Sequence, residues 1–269
     1  MKLSFHDSVN ISRACVAFMC LVAVYKYETL CILLNSTWNY TRIQWWFKHD
    51  TFEPAVAFVS FGVWIHMFSM LDRMRLLSRY VIAPEKRQVD LKPGVASQAG
   101  AFYLSAFVVF DFLYPRRNIP EYGPGSPFKV LCDIALGIWL YDLIFFPVHL
   151  AFHNCTWLRS IHKRHHHTTN GLFSTEVLRH SLLDGTMQVL CNIVVLKSLG
   201  LHPFTRGLYN IVVTYLLTEL HSGYNFPWML HNLVPGGILG GPPRHEMHHV
   251  NGKRYFQQFF TYLDDWLYP

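Results

Sequence analysis

Four histidine groups stand out in the C-terminal half of this 269-residue chain. His149 and His153 form HLAFH, His162, His165 and His166 form HKRHH, His221 opens HSGYNFPW, and His245, His248 and His249 form HEMHH. Imidazole is the commonest nitrogen ligand for metals. On a helix, positions i, i+3 and i+4 share one face. HxxxH would therefore aim two imidazoles at one point, and each HxxHH would aim three. The four groups supply nine imidazoles. A single zinc takes four ligands, so nine suit two ions rather than one. Imidazole accepts Zn, Cu, Fe or Ni, and ligand type alone leaves the metal open.

Each group has a bland alternative. A lone HxxxH arises often by chance, and KRHHH, with His167 as its last member, reads as a basic run on a solvated or headgroup-facing surface. His180 and His231 are isolated and read as ordinary polar neighbours. It is the combination of one HxxxH with two HxxHH groups that carries the signal. Asp142 precedes His149 by two helical turns, on the same face, and is a candidate to hold that imidazole in place.

The elements that must position these groups read as membrane helices. Hydrophobic residues make up 51% of the chain and charged residues 15%, well below the share usual in soluble domains. Four apolar runs are long enough to span: Ala14 to Leu34, interrupted by Lys26 and Glu28, then Pro54 to Leu71, Val95 to Tyr114, and Phe128 to Val148. Two further runs, Leu182 to Leu201 and Phe204 to Leu220, predict a tight helical hairpin that spans fully or only dips in. The expected fold is all-α: a multi-span membrane helical bundle with a cytosolic, histidine-rich di-metal domain. Residues 1–127 form its N-terminal helices and loops, and residues 128–269 its catalytic part.

Arg73, Arg75, Arg79, Lys86, Arg87 and Lys92 between the second and third runs place that loop in the cytosol by the positive-inside rule. Counting spans from there puts the N-terminus and all the histidine groups on the cytosolic side. Asn35 and Asn39, in NST and NYT sequons, then fall in a lumenal loop. The first run is too long for a signal peptide and reads as a retained anchor. The net charge of +6 reflects this topology rather than a nucleic-acid surface. The six cysteines include no CxxC pair, which excludes a zinc ribbon and a disulfide scaffold.

These residues resemble the fatty acid hydroxylase / sterol desaturase superfamily of membrane di-iron enzymes. Its pattern of HxxxH, HxxHH and HxxHH matches from about Leu140 to the C-terminus. ELHSGYNFPW, HNLVP and HEMHH look most like the cholesterol 25-hydroxylase and C-4 methylsterol oxidase branch. The resemblance implies the ligand set His149, His153, His162, His165, His166, His221, His245, His248 and His249. It implies two Fe ions, with zinc an acceptable replacement on imidazoles. Asn225 stands where some relatives have His, and His180 matches a His of methylsterol oxidases; both are candidates to support the site.

The implied reaction is O2-dependent hydroxylation of an unactivated C–H bond in a sterol or related lipid, at the endoplasmic reticulum membrane. Phe226 and Trp228 are candidates to line the substrate pocket, with an interfacial anchor role equally open to Trp228. The chain has no GxGxxG, and VPGG at 234–237 lacks the histidine of a cytochrome b5 HPGG. A separate electron donor, cytochrome b5 or its reductase, is implied. Rival outcomes are desaturation, stepwise demethylation, aldehyde decarbonylation or fatty acid hydroxylation on the same metals, and a zinc-bound receptor or transporter.

Overall fold

The structure, a computed structural model, describes residues 3–75, 77–85, 119–167 and 171–268, with isolated positions at 105, 109 and 113. The third apolar run, Val95 to Tyr114, lies almost wholly outside the described residues, as do Lys86, Arg87 and Lys92 of the basic loop. Among the described residues the chain is helical, and its only β pairing is two isolated bridges, Val81 to Tyr224 and Leu239 to Phe260.

Among the described residues, three helices are long and apolar enough to cross a membrane. They are α1 (Phe5–Tyr25), α3 (Phe52–Met74) and, in the histidine-rich half, α4 (Pro127–Asn154). The chain is an all-α membrane protein. The first apolar run is not one helix over Ala14 to Leu34. α1 begins earlier, at a capping box in which the Ser4 hydroxyl and the Asp7 carboxylate each accept from the other's backbone N–H. It ends at Lys26, whose φ of −97° and ψ of 18° break the helix, and α2 (Tyr27–Thr41) follows. Lys26 and Glu28, the two charges in the run, fall at this junction, where backbone polar groups need solvation anyway. As a consequence Asn35 and Asn39 sit on the exposed surface of α2 and not in a loop.

α4 opens with Ser126 accepting from the Lys129 N–H and Pro127 in the first turn, where its missing donor costs nothing. It continues past the expected end of the fourth run to Asn154. His149 and His153 therefore lie inside its last turns rather than beyond them. α5 (Thr156–His162) follows, then a 3₁₀ turn over His165–His167, a second 3₁₀ turn over Ser174–Leu178, and the hairpin α6 (Leu182–Ser198) and α7 (Pro203–Leu220). The two expected helices form, joined by a short turn at Gly200 with φ +57°, and each packs on α4. α8 (Leu230–Leu233), α9 (Gly241–Asn251) and α10 (Tyr262–Leu267) complete the chain.

The core lies where α4, α6 and α7 meet, around Ile134, Tyr141, Val195, Tyr209, Val213 and Phe259. α4 and α7 approach closely because position 137 is glycine: a Cβ there would stand 2.8 Å from the Tyr209 ring. α3 packs along α7. There the Trp64 indole N–H donates to the Ile211 carbonyl at 3.2 Å, and Arg206 forks onto Glu53 at 2.8 Å. A second cluster of Phe68, Tyr80, Tyr224, Phe226 and Met229 ties α3 to the segment after α7. Phe226 is thus core, and Trp228 is half-exposed; neither lines the apolar cavity described below.

Candidate metal centre

The nine histidines singled out by spacing converge, and they divide into two groups. His149, His153, His162, His166 and His248 form one, and His165, His221, His245 and His249 the other; within each, the ligand atoms lie within 4.8 Å of one another. The division is not by sequence group. The second box is not a continuous helix: His162 is the last residue of α5, and His165 and His166 lie in the following 3₁₀ turn, with His166 at φ −81°, ψ 18°. That break sends His162 and His166 to one side and His165 to the other. On α9 the three histidines also part, His248 to the first group and His245 and His249 to the second. Each HxxHH therefore bridges both groups instead of aiming three imidazoles at one point. The groups adjoin, with the His166 and His249 rings stacked 4.4 Å apart.

The inner nitrogens of these rings are held by the fold. Nδ1 lies 2.7 Å from the Phe256 carbonyl in His149, 3.2 Å from Arg179 O in His165, 2.8 Å from Leu217 O in His221 and 2.8 Å from Arg254 O in His248. A carbonyl can only accept, so in each ring Nδ1 carries the hydrogen and Nε2 presents its lone pair. His162 Nδ1 faces a carboxylate instead, Asp184 Oδ2 at 2.7 Å, with both residues buried. Outer partners of this kind fix the tautomer and raise the basicity of a ligating imidazole.

The Nε2 atoms are then left either without a protein partner or facing one another. Those of His153, His162, His166 and His248 are buried without a hydrogen-bond partner. In the other group His221 Nε2 stands 3.3 Å from His165 Nε2 and 3.0 Å from His245 Nε2, while His245 and His249 stand 3.2 Å apart. His221 and His165 both present lone pairs, which repel unless a positive ion lies between them. Nitrogens bound about 2.0–2.1 Å from one ion stand about 2.8–3.4 Å apart between right-angle and tetrahedral geometry, a range that includes the spacings found. Burial and the neighbouring imidazoles also hold His165, His245, His248 and His249 well below the usual histidine range, so they remain neutral, as metal ligation requires. The donor set fits two metal ions, one per group.

The supporting residues expected from sequence fall elsewhere. Asp142 is buried but accepts from the Gln257 side-chain amide and the N–H groups of Gln258, Phe259 and Phe260 at 2.8–3.2 Å. It acts on His149 only through the backbone of this segment, whose Phe256 carbonyl takes the His149 hydrogen. His180 packs its ring on Gly185, with Nδ1 3.3 Å from Ser181 O. Asn225 accepts through Oδ1 from His231 Nε2 at 3.0 Å and from the Asn232 amide at 2.7 Å, outside both imidazole groups.

Sequence reasoning missed Asp184. In sequence it reads as a first-turn acid behind the Ser181 cap, and Ser181 Oγ does accept from its N–H at 3.1 Å. The carbonyl partners of the other rings carry no sequence signal at all.

The family profile for fatty acid hydroxylase matches residues 134–268. The chain belongs to the fatty acid hydroxylase family. It is 35% identical over 243 residues to cholesterol 25-hydroxylase of Homo sapiens, covering 87% of this chain and 89% of the relative. It is 28% identical over 253 residues to the Mus musculus enzyme of that name, with 88% and 82% covered. A Dictyostelium discoideum relative named for methylsterol monooxygenase is 26% identical over 242 residues, with 82% and 86% covered. No solved structure matches. Family and relatives together mark a lipid oxygenase, a membrane oxidoreductase.

Proposed function

We propose that this protein is a di-iron monooxygenase that hydroxylates an unactivated C–H bond of a sterol or closely related lipid. The observation that carries the reading is the division of nine buried or half-buried imidazoles into adjacent groups of five and four, with four Nε2 atoms of the first left without a partner and those of the second turned toward one another. When bound, two iron ions would supply two-electron reduction of O2, so that one oxygen atom enters the C–H bond and the other leaves as water, with two electrons and two protons from outside. His149, His153, His162, His166 and His248 would hold one ion, and His165, His221, His245 and His249 the other. The protein's own work is to fix these rings. Carbonyls of Phe256, Arg179, Leu217 and Arg254, with the Asp184 carboxylate, lock the tautomers, and the packed α4, α6 and α7 exclude bulk water. Residues 128–269 serve as the catalytic part and 1–127 anchor it.

A separate electron donor fits the surface over the first group. Arg159, Lys163, Arg164, Lys253 and Arg254 are all exposed around it. Two of them are wired to ligands: the Arg159 side chain donates to the His153 carbonyl at 2.7 Å, and the Arg254 carbonyl holds His248. An acidic carrier such as cytochrome b5 suits such a rim. The site then faces the cytosol from the endoplasmic reticulum membrane, and a glycan mapped to Asn154, in the first histidine group, would refute that orientation.

The test is turnover of purified, iron-loaded protein with a reductase, a sterol panel and ¹⁸O2. A hydroxylated product carrying one labelled oxygen is expected. An unsaturated product without label would establish desaturation, and successive oxidation of one methyl group would establish the demethylating reading.

A further inference from the structure

Beside the metal groups, α4 and α7 enclose a cavity of about 320 Å³ with the segment from Leu230 to Gly241 and with Phe259 and Phe260. The size falls in the range of small-molecule sites, and such sites pair an apolar wall with a few placed polar groups. Here the wall is Ile138, Leu216, Leu220 and Phe259 among others, and two polar side chains interrupt it, Glu219 and His231.

Glu219 is only 4% exposed, and one carboxyl oxygen accepts from the Tyr215 hydroxyl at 2.7 Å. Its place on an otherwise apolar wall costs desolvation that core packing does not need. His231 is oriented by Asn225. Because Asn225 Oδ1 also accepts from the Asn232 amide, it is an acceptor, so His231 Nε2 donates and Nδ1 holds the lone pair. That Nδ1 is buried without a partner, its ring against Gly241, where a Cβ would collide. His231 Nδ1 is closed off against Gly241, so the Glu219 carboxyl, which already accepts from Tyr215, is the polar group left to meet a ligand at this corner. The corner adjoins the four-histidine group, since Glu219 precedes His221 by two residues and Gly241 precedes His245 by one helical turn.

We propose that this cavity is the binding site for a neutral, largely apolar lipid bearing a single hydroxyl group, with the Glu219 carboxyl accepting that hydroxyl's hydrogen bond. The occupant matches both surfaces: an aliphatic ring skeleton for the wall and one O–H donor for the corner. A lipid with a charged headgroup does not, because an anion would meet Glu219 and an ammonium would be buried without water. The inference builds on the sterol reading above, but its test does not need turnover.

The experiment is photo-crosslinking of the full-length, metal-loaded protein in detergent micelles with a diazirine-bearing cholesterol analogue, with labelled peptides mapped by mass spectrometry. Label is expected on the α4 segment with Ile138, on α7 around Leu216 and at Phe259. Cholesterol should compete at least about tenfold better than its 3-O-methyl ether, which has no hydrogen to donate. Glu219→Leu should erase that difference while keeping the apolar label, and Ile138→Trp should reduce the label itself. Label confined to exposed α1 or α2, or equal competition by cholesterol and its ether in the parent protein, would overturn the proposal. Normal labelling without any ¹⁸O-product would leave this site standing and sink the oxygenase reading instead.

Discussion

Asp184 Oδ2 lies 2.7 Å from Nδ1 of His162, and both side chains are withdrawn from solvent. The pair links the first turn of α6 to the end of α5, so hairpin packing is transmitted to a ligand of the five-histidine group. Removing such a partner typically lowers metal affinity or activity by about 10- to 100-fold. Asp184→Ala should therefore weaken the ion of that group selectively, with Asp184→Asn, which can still accept through its amide oxygen, retaining more. Competition with a calibrated chelator measures both. Parent-like affinity in Asp184→Ala would show that His162 needs no carboxylate.

Asn225 makes its contacts to His231 and Asn232, away from the imidazoles. Asn225→Leu should keep full metal content yet lose turnover, because His231 loses its orienting acceptor. Elemental analysis beside product assay separates the two effects. Loss of metal in this variant would return Asn225 to the ligand set.

Asp142→Ala would leave the buried N–H groups of Gln258 and Phe259, the half-buried N–H of Phe260 and the buried Gln257 amide without their acceptor. Each buried unsatisfied group costs on the order of 1–3 kcal/mol. Loss of folded protein is expected, seen as a lower thermal midpoint or failure to purify as a monodisperse species. An unshifted midpoint would contradict the role assigned here.

Burial pushes His166 down to about 3 and His221 to about 4, and holds His245 and His248 well below the usual histidine range. In metal-free protein the unfolded chain, with histidines near about 6.5, then takes up protons before the folded chain does. Stability is full above that value and falls as pH drops through about 6.5 toward the folded values. Thermal midpoints of chelator-treated protein should decline steeply between pH 7.5 and 5, the decline easing when metal is restored. A flat profile would mean that the rings are not buried together.

Helices α3 and α4 and the convergence of the nine histidines were legible in the sequence because both rest on local spacing: about 20 apolar residues per span, and imidazoles at three- and four-residue intervals. How the ligands divide was not legible. It depends on α5 stopping at His162, which no strong breaker marks, and on α9 lying along the seam so that His248 and His245, neighbours on one face, fall to different groups. Lys26 and Glu28 did signal a weakness in the first run, yet whether two charges bend or end a helix is decided by packing. Asp142 was read toward His149 from helical phase alone. The backbone N–H groups that claim it lie more than a hundred residues away and leave no trace in composition.

The central claim is two ions on two distinct imidazole groups, and anaerobic titration of metal-free, full-length protein with ⁵⁷Fe(II) tests it most directly. The account predicts two irons per chain in the parent. It predicts one in His248→Ala, which breaks the five-histidine group, and one in His245→Ala, which breaks the four-histidine group. A single iron per chain in the parent, with either substitution abolishing it, would contradict the account.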